Sequence, residues 1–190
     1  FRYFHLNHHR FTSDPARDPE LAVAKPRNRP VYLMHLTGLA VWGAQLQALL
    51  GSTHGRAEDD FIPQKARNRV ALEARWCLAL YIIAFAAAGE QLLWVWVVPA
   101  FLGQPFLRAF LLAEHMDCPK TTDMLANSRT TSTTAALRFI AWNMSYHAEH
   151  HTLPAVPFHQ LPAFHRLTQA HLKFRQNGYL NFHRELCRKL

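Results

Sequence analysis

The sequence predicts an all-α membrane protein, in which a transmembrane hairpin carries a cytoplasmic helical cap with two histidine clusters. Three observations predict this class. Two runs without charged residues, 76–89 and 92–107, are separated only by Glu90-Gln91. The string H-x-x-H-H occurs at His5 and again about 140 residues later. Finally, 49% of the residues are hydrophobic while the mean hydropathy is only -0.13, which favours a chain lying partly in lipid and partly in water.

The first cluster opens the chain. Residues 1–10 are predicted to form a helix that ends in the turn-forming string Thr12-Ser13-Asp14-Pro15. Positions i, i+3 and i+4 of a helix share one face and lie about 5 to 6 Å apart. His5, His8 and His9 can therefore converge on one small volume.

The second cluster lies on a helix predicted over 135–151, where His147, His150 and His151 repeat the spacing. Neutral imidazole is a ligand suited to iron, zinc, copper or nickel. Six histidines exceed the four ligands of a tetrahedral zinc. The count therefore favours two metal ions held mainly by nitrogen, and 13 histidines scattered by chance would rarely produce the string twice.

Several other classes of protein are excluded or disfavoured. The sequence contains no H-E-x-x-H string, which zinc metalloproteases use, and no Glu-x-x-His string, which carboxylate-bridged diiron bundles use. It also contains no C-x-x-C string, as a zinc ribbon or a dithiol site would need. Its three cysteines form no spaced framework, which favours a reducing compartment. The formal net charge of +8 does not indicate nucleic-acid binding, because the basic residues cluster at the ends of apolar runs.

The two uncharged runs are predicted to pair as a transmembrane hairpin. Arg75 and Arg108 can extend toward the interface and so lengthen both runs at their basic ends. The turn at Gly89-Glu90 then faces away from the histidine clusters. A soluble helical hairpin is the alternative.

Residues 31–50 are apolar and long enough to span a bilayer. Both the first cluster and the basic segment 65–75 are expected on the cytoplasmic side. A single crossing cannot join two points on one side, so 31–50 is predicted to be an interfacial or re-entrant helix.

The run N-x-x-Y-H-x-E-H-H-x-x-P-x-V-P, which begins at Asn143 and is followed by Leu161-Pro162, resembles the membrane fatty acid desaturase and hydroxylase superfamily. The string D-P-A-R-D-P from Asp14 resembles a bacterial acyl-lipid desaturase. The resemblance implies a non-haem centre of two iron ions, held by two H-x-x-H-H boxes and one H-x-x-x-H box. No separate H-x-x-x-H box occurs here, so residues 1–190 are expected to be one desaturase-like domain whose upstream helices and box are missing.

The resemblance also implies a further ligand. Glu114-His115 resembles the Glu-His element of related enzymes, which makes His115 a candidate ligand and Glu114 a candidate partner of a ligand. The candidate iron ligands are therefore His5, His8, His9, His115, His147, His150 and His151.

Four weaker candidates surround these ligands. Asp14 and Asp18 can each accept a ring N–H from a ligating histidine, or can instead cap a loop. Asn143, predicted one turn before His147, can reach a metal-bound water, or can cap or pack. Trp142 and Tyr146 can line the substrate path or belong to the core. Glu149 is expected to point away from the histidines and pair with a neighbouring helix.

The resemblance implies O2-dependent oxidation of a membrane lipid, with fatty acid desaturation first. A hydroxylase or ketolase of a carotenoid or sphingolipid-like substrate is the alternative, and a non-catalytic membrane metal-binding protein is an alternative of another class. The expected partners are a fatty acyl lipid, O2 and a separate electron donor of ferredoxin, rubredoxin or cytochrome b5 type. The expected location is the bacterial inner membrane with the boxes on the cytoplasmic side, where the basic tail 164–190 can meet anionic lipid or an acidic donor.

Overall fold

The computed structural model describes residues 1–55 and 60–190, and their fold is mostly helical. The helices are α1 Arg2–Phe11, α2 Arg29–Thr37, α3 Leu39–Thr53, α4 Gln64–Ala88, α5 Glu90–Leu92, α6 Val98–His115, α7 Ala135–Ile140, α8 His147–Thr152, α9 Leu161–Thr168 and α10 Tyr179–Lys189. A π-helical stretch, Leu93–Val97, joins α5 to α6, and short 3-10 helices cover Pro19–Ala22 and Phe158–Gln160. The strands are β1 Thr130–Ser132 and β2 Arg175–Asn177.

The predicted hairpin is present and is longer than the uncharged runs alone. Helix α4 has 25 residues, and Glu90–His115 forms a second apolar unit of 26 residues; both are long and apolar enough to cross a membrane. Their side chains are largely exposed, as lipid-facing helices require, and Phe106 is 80% exposed. The turn falls at Gly89, whose φ of 53° is open to glycine at little cost. The basic stretch 65–75 continues α4 beyond its apolar part.

Helices α2 and α3 replace the single helix predicted over 31–50. They meet at Gly38 with a bend of 49°, and the pair is apolar enough for either a broken span or a re-entrant segment. Gly38 has a φ of 71°, and a Cβ at this position would lie 2.4 Å from Gln104 Oε1. The bend therefore requires glycine, both for its backbone conformation and for the close approach of α6.

The prediction of one helix over 135–151 is wrong. Helix α7 ends at Ile140, and α8 begins only at His147. The turn between them contains Trp142 and Asn143, whose φ angles are 50° and 57°. The Asn143 side chain donates to Phe158 O at 3.1 Å, and Thr131 N donates to Ser145 O at 2.9 Å. These contacts hold the chain in a turn, so Asn143 does not lie one helical turn before His147.

The region after α6 contains a small parallel sheet. Strand β1 pairs with β2, with Thr130 opposite Arg175 and Ser132 opposite Asn177. The sheet draws the C-terminal segment onto the body of the protein. Phe182 and Leu186 of α10 then join a buried core with residues of α2 and the end of α6, namely Tyr32, Leu112, Ala113 and Met116.

Candidate metal centre

The structure brings the two histidine boxes together. The ring centroids of His9 and His151 are 4.2 Å apart, those of His9 and His150 are 4.5 Å apart, and those of His8 and His151 are 4.9 Å apart. His115 lies at the end of α6, and its ring centroid is 4.7 Å from that of His147 and 4.7 Å from that of His151. Seven histidines from α1, α6 and α8 therefore enclose one region.

These histidines form two groups, and each group takes residues from both boxes. The four-histidine group consists of His8, His115, His147 and His151, and the three-histidine group consists of His5, His9 and His150. Within each group the candidate ligand atoms lie within 4.8 Å of one another.

Helix geometry explains this division. Residues i and i+4 differ by about 40° around a helix axis, whereas residue i+3 lies about 60° from i on the other side. The pairs His5/His9 and His147/His151 therefore each face one group. His8 and His150, at the i+3 positions, face the other group, so the H-x-x-H-H spacing lets one helical turn serve two ions.

In the four-histidine group, the Nδ1 atoms of His8, His115 and His147 are the outer nitrogens, and each lies close to a polar atom. The Nε2 atoms are the inner nitrogens. His8 Nδ1 lies 2.8 Å from Asp18 Oδ1, and His115 Nδ1 lies 3.0 Å from Asn127 O. His147 Nδ1 lies 3.3 Å from the buried Glu114 Oε1, although this contact lacks hydrogen-bond geometry. Carboxylate and carbonyl partners of this kind fix the tautomer of a metal-binding histidine.

Thr12 defines the tautomer of His151. Its hydroxyl donates to His8 O at 2.7 Å, so it accepts the N–H of His151 Nδ1 at 3.1 Å. His151 Nε2 is then left with a free lone pair. It is buried and has no hydrogen-bond partner within residues 1–55 and 60–190.

The inner nitrogens fit metal binding. His115 Nε2 and His147 Nε2 are 2.9 Å apart, and His5 Nε2 and His9 Nε2 are 3.1 Å apart. Two nitrogens bound to one ion at 2.0–2.1 Å, with a right angle between them, would be about 3 Å apart. In the part of the chain that the structure describes, His150 Nδ1 is also buried without a partner, as is His9 Nδ1 on the other side of the His9 ring. The residues of both groups therefore fit metal ions.

Burial keeps most of these imidazoles neutral, which is the form that binds metal. Loss of hydration, together with the nearby histidines, lowers the pKa of His9 to about 3 and that of His150 to about 4. The pKa values of His147 and His151 are lowered well below the usual range for the same reasons. His8 is the exception: burial lowers its pKa, but hydrogen bonds with Asp18 and Glu20 outweigh burial and raise it to about 9.

The two aspartates that were predicted to orient ligating histidines make different contacts. Asp18 contacts His8, and its Oδ2 also accepts the Ser13 N–H at 2.7 Å. Asp14 instead accepts the Ala16 N–H at 2.9 Å and pairs with Arg17 at 2.6 Å. Asp14 thus takes the loop-capping alternative.

The remaining candidates lie around α8. Trp142 is 65% exposed and stacks on Phe158. The ring of Tyr146 lies against that of His165, with the two planes tilted by 38°. Glu149 is fully buried and bonds to Thr130 of β1 and His165 of α9, which confirms that it pairs with neighbouring elements.

Sequence reasoning missed three groups that contact the histidines: the Thr12 hydroxyl, the Asn127 carbonyl and the Glu20 carboxylate. A backbone carbonyl gives no signal in a sequence. Thr12 follows His8 by four residues, so its place one turn further along the helix could have been found from spacing.

The fold and the site define a class of protein: helical, with candidate membrane-spanning helices and a histidine-lined site able to hold metal. Comparison with known families identifies the family, because the profile described as "Fatty acid desaturase" matches residues 1–182. The chain therefore belongs to the fatty acid desaturase family. Family membership makes it an oxidoreductase of the lipid desaturation or oxidation type, in a family that uses iron. The comparisons with curated proteins and with solved structures returned no match.

Proposed function

We propose that this protein is an O2-dependent desaturase of membrane fatty acyl lipids, whose two histidine groups each hold one iron ion. The observation that carries the proposal is the interleaving of the two H-x-x-H-H boxes around two separate sets of nitrogens. A structural zinc site would need a single set of four ligands. Two adjacent sets suit a pair of ions that share a substrate.

The proposed ligands are the seven histidines of the two groups. Iron bound there would supply the reduction of O2 and the removal of hydrogen from an unactivated C–H bond. The protein contributes the geometry: Asp18, Thr12 and the Asn127 carbonyl orient His8, His151 and His115 through their Nδ1 atoms.

The burial of the histidines also keeps water out of the site. His8, His9, His115, His147 and His151 are all less than 9% exposed. Such a site excludes water and protects reactive species from side reactions. Glu114 is buried beside His147, at 3.3 Å from its Nδ1 atom, and adds a polar group to the surroundings of the site.

The substrate would enter from the bilayer, because the exposed apolar faces of α4 and of Glu90–His115 lie in lipid in this arrangement. Trp142 and Tyr146 stay hypotheses for the substrate path. The electron donor would be a separate protein of ferredoxin, rubredoxin or cytochrome b5 type. Lys173, Arg175, Arg184 and Arg188 give the C-terminal segment a basic surface for an acidic donor or for anionic lipid.

The proposed location is the bacterial inner membrane with the histidine groups on the cytoplasmic side. The basic residues of 65–75, at the beginning of α4, support this orientation because positive charge favours the cytoplasmic side. Residues 1–190 are proposed to act as one desaturase-like domain.

Two measurements test the proposed function. Metal analysis of the full-length protein purified in detergent should find about two irons per chain, whereas zinc alone or no metal would contradict it. Mass spectrometry of lipids from cells that express the gene should show acyl chains that have lost two hydrogens. Lipids that have gained one oxygen instead would support the hydroxylase alternative.

A further inference from the structure

Arg129 is a buried cation that precedes β1 and belongs to neither histidine box. Its Nη1 donates to Ala113 O at 2.5 Å, and its Nη2 donates to Met116 O at 2.7 Å. These two carbonyls flank Glu114 and His115 at the end of α6. One guanidinium group therefore bridges the turn of helix that carries His115.

The backbone beside the guanidinium group contacts the two residues that lie between those carbonyls. The Arg129 N–H donates to Glu114 O at 2.8 Å, and Asn127 O lies 3.0 Å from His115 Nδ1. Segment 127–129 thus contacts each of the four consecutive residues 113–116. His115 is held through its ring by Asn127 and through the backbone on both sides of it by Arg129.

His115 needs such contacts because it is the last residue of α6. The final carbonyls of a helix have no partner within the helix, and helix ends fray. Met116, the next residue, already has an extended backbone with a ψ of 134°. His115 is also alone on its helix, whereas each H-x-x-H-H box places three histidines on one turn. A fixed direction for this imidazole therefore depends on contacts from outside α6.

Charge and packing both suit an arginine at position 129. The carbonyls at the C-terminal end of a helix carry partial negative charge, which favours a cation, and the guanidinium fork matches two acceptors at once. The Phe182 ring of α10 lies 4.8 Å from Arg129 Cζ, in a cation–π contact that covers the group. Phe182 belongs to the buried core that α10 forms with α2 and α6. The packing of α10 thus shields the hydrogen bonds of Arg129 from water, which strengthens them.

We propose that Arg129 is a positioning residue of the metal centre, which sets the direction of His115 through the carbonyls of Ala113 and Met116. Arg129 itself contacts neither metal nor substrate. This inference rests on the proposed iron centre and extends it. In that centre, His115 supplies the one nitrogen of the four-histidine group that comes from outside the boxes, so a loose end of α6 would leave this ion with three firmly held nitrogens.

The test is Arg129→Lys in the full-length iron-loaded protein. Lysine keeps the positive charge but offers a single nitrogen in place of the fork that bridges the two carbonyls. Arg138→Lys is the matched control, because the Arg138 guanidinium also donates to a backbone carbonyl, Thr133 O at 2.6 Å, but does so at α7. Size-exclusion profiles and unfolding temperatures establish that both variants are folded. Arg129→Gln, which leaves no buried charge, replaces Arg129→Lys if the latter does not fold.

The readouts are the rate of iron release to a chelator and the Mössbauer spectrum. We expect Arg129→Lys to release one of its two irons at least about 10-fold faster than the wild type and to shift one Mössbauer signal, while Arg138→Lys matches the wild type. A double-mutant cycle separates an effect through His115 from a general loosening of the site. In a His115→Ala background, Arg129→Lys should accelerate release no further, because the residue through which it acts is gone.

Two outcomes would overturn the inference and leave the proposed function standing. One is an Arg129→Lys protein whose release rates and Mössbauer signals are unchanged, and the other is an equal acceleration with and without His115. A wild-type protein without iron would instead overturn the proposed function. The same cycle, followed by the release of zinc from zinc-loaded protein, would then still test whether Arg129 acts through His115.

Discussion

Two aspartates of one loop show that the position of a residue in the loop determines whether it contacts the histidines. Asp14 and Asp18 have the same side chain and lie four residues apart, yet only Asp18 contacts a histidine of the centre. The sequence predicted that both could orient a ligand. Spacing alone could not separate them, because the path of the loop depends on Asp18 capping the next helical turn.

Asp18→Asn should weaken iron binding. The change removes the charge that holds His8 Nδ1–H while retaining an oxygen that can cap the Pro19–Ala22 helix. Loss of such a partner typically costs 10- to 100-fold in metal affinity. Competition with a chelator measures the affinity, and Asp14→Asn is the control from the same loop. Equal affinities in the two variants would show that Asp18 does not act through His8.

Glu149→Gln should destabilise the fold around α8. The buried carboxylate accepts hydrogen bonds from Thr130 and His165, and an amide cannot accept both with the same strength. We expect the free energy of unfolding to fall by about 2 kcal/mol. Denaturant titration in detergent measures it. Glu185→Gln, on the exposed face of α10, should leave it almost unchanged.

At the scale of elements, the bends and joints between helices are the features that the sequence predicts least well. The apolar run 31–50 indicated a helix but not its bend at Gly38. The string through 135–151 indicated a continuous helix, and the structure instead has a turn at Trp142 and Asn143. In both places, contacts with distant residues outweigh local propensity, namely Gln104 in the first case and Phe158 in the second.

Gly38→Ala should be destabilising, whereas Gly43→Ala should not. Alanine at Gly38 would take a left-handed backbone conformation and bring its Cβ onto Gln104, at a cost of about 1–3 kcal/mol. Gly43 lies within α3 with nothing within 4 Å of an added Cβ, so alanine there should stabilise by up to about 1 kcal/mol. Thermal unfolding in detergent compares the pair. A similar unfolding temperature for both variants would refute the close packing of α6 on the bend.

The attachment of α10 should depend on pH through His183. His183 Nε2 donates to Ala109 O at 3.0 Å, so Nδ1 accepts from the Tyr32 hydroxyl at 3.0 Å. Burial lowers the pKa of His183, so the folded state binds a proton less readily than the unfolded state. Stability is therefore full above the unfolded pKa of about 6.5 and falls as the pH drops below it.

Unfolding of wild type and His183→Gln between pH 8 and pH 5 measures this dependence. The variant should be less stable at pH 8 but should lose less stability on acidification. Parallel pH profiles would show that His183 does not titrate between these limits.

At the scale of the whole molecule, the sequence predicted the helical class, the hairpin and the approach of the two boxes. Charge and hydropathy suffice for the hairpin, because lipid constrains both the length and the composition of a span. The division of the histidines into interleaved groups was not foreseen, although it follows from the angles of a helix. The β1–β2 pair and the packing of α10 were also missed, because three-residue strands and a basic amphipathic helix carry little information about distant partners.

The proposed orientation places Gly89-Glu90 and the metal centre on opposite sides of the membrane. Single cysteines at Glu90 and at Lys120, in a background with Cys77, Cys118 and Cys187 changed to serine, test this in intact cells. A membrane-impermeant maleimide should label position 90 from outside and position 120 only after permeabilisation. Labelling of both from the same side would contradict the orientation.

The interleaving of the boxes also bears on how the protein matures. Each group takes nitrogens from the opening helix and from a segment about 140 residues further on, so an ion in either group cross-links distant parts of the polypeptide. In the proposed centre, neither ion could be loaded fully until those parts have met. Iron uptake would then report completed folding, and a cell starved of iron would accumulate chains in which α1 and α8 are not linked through metal.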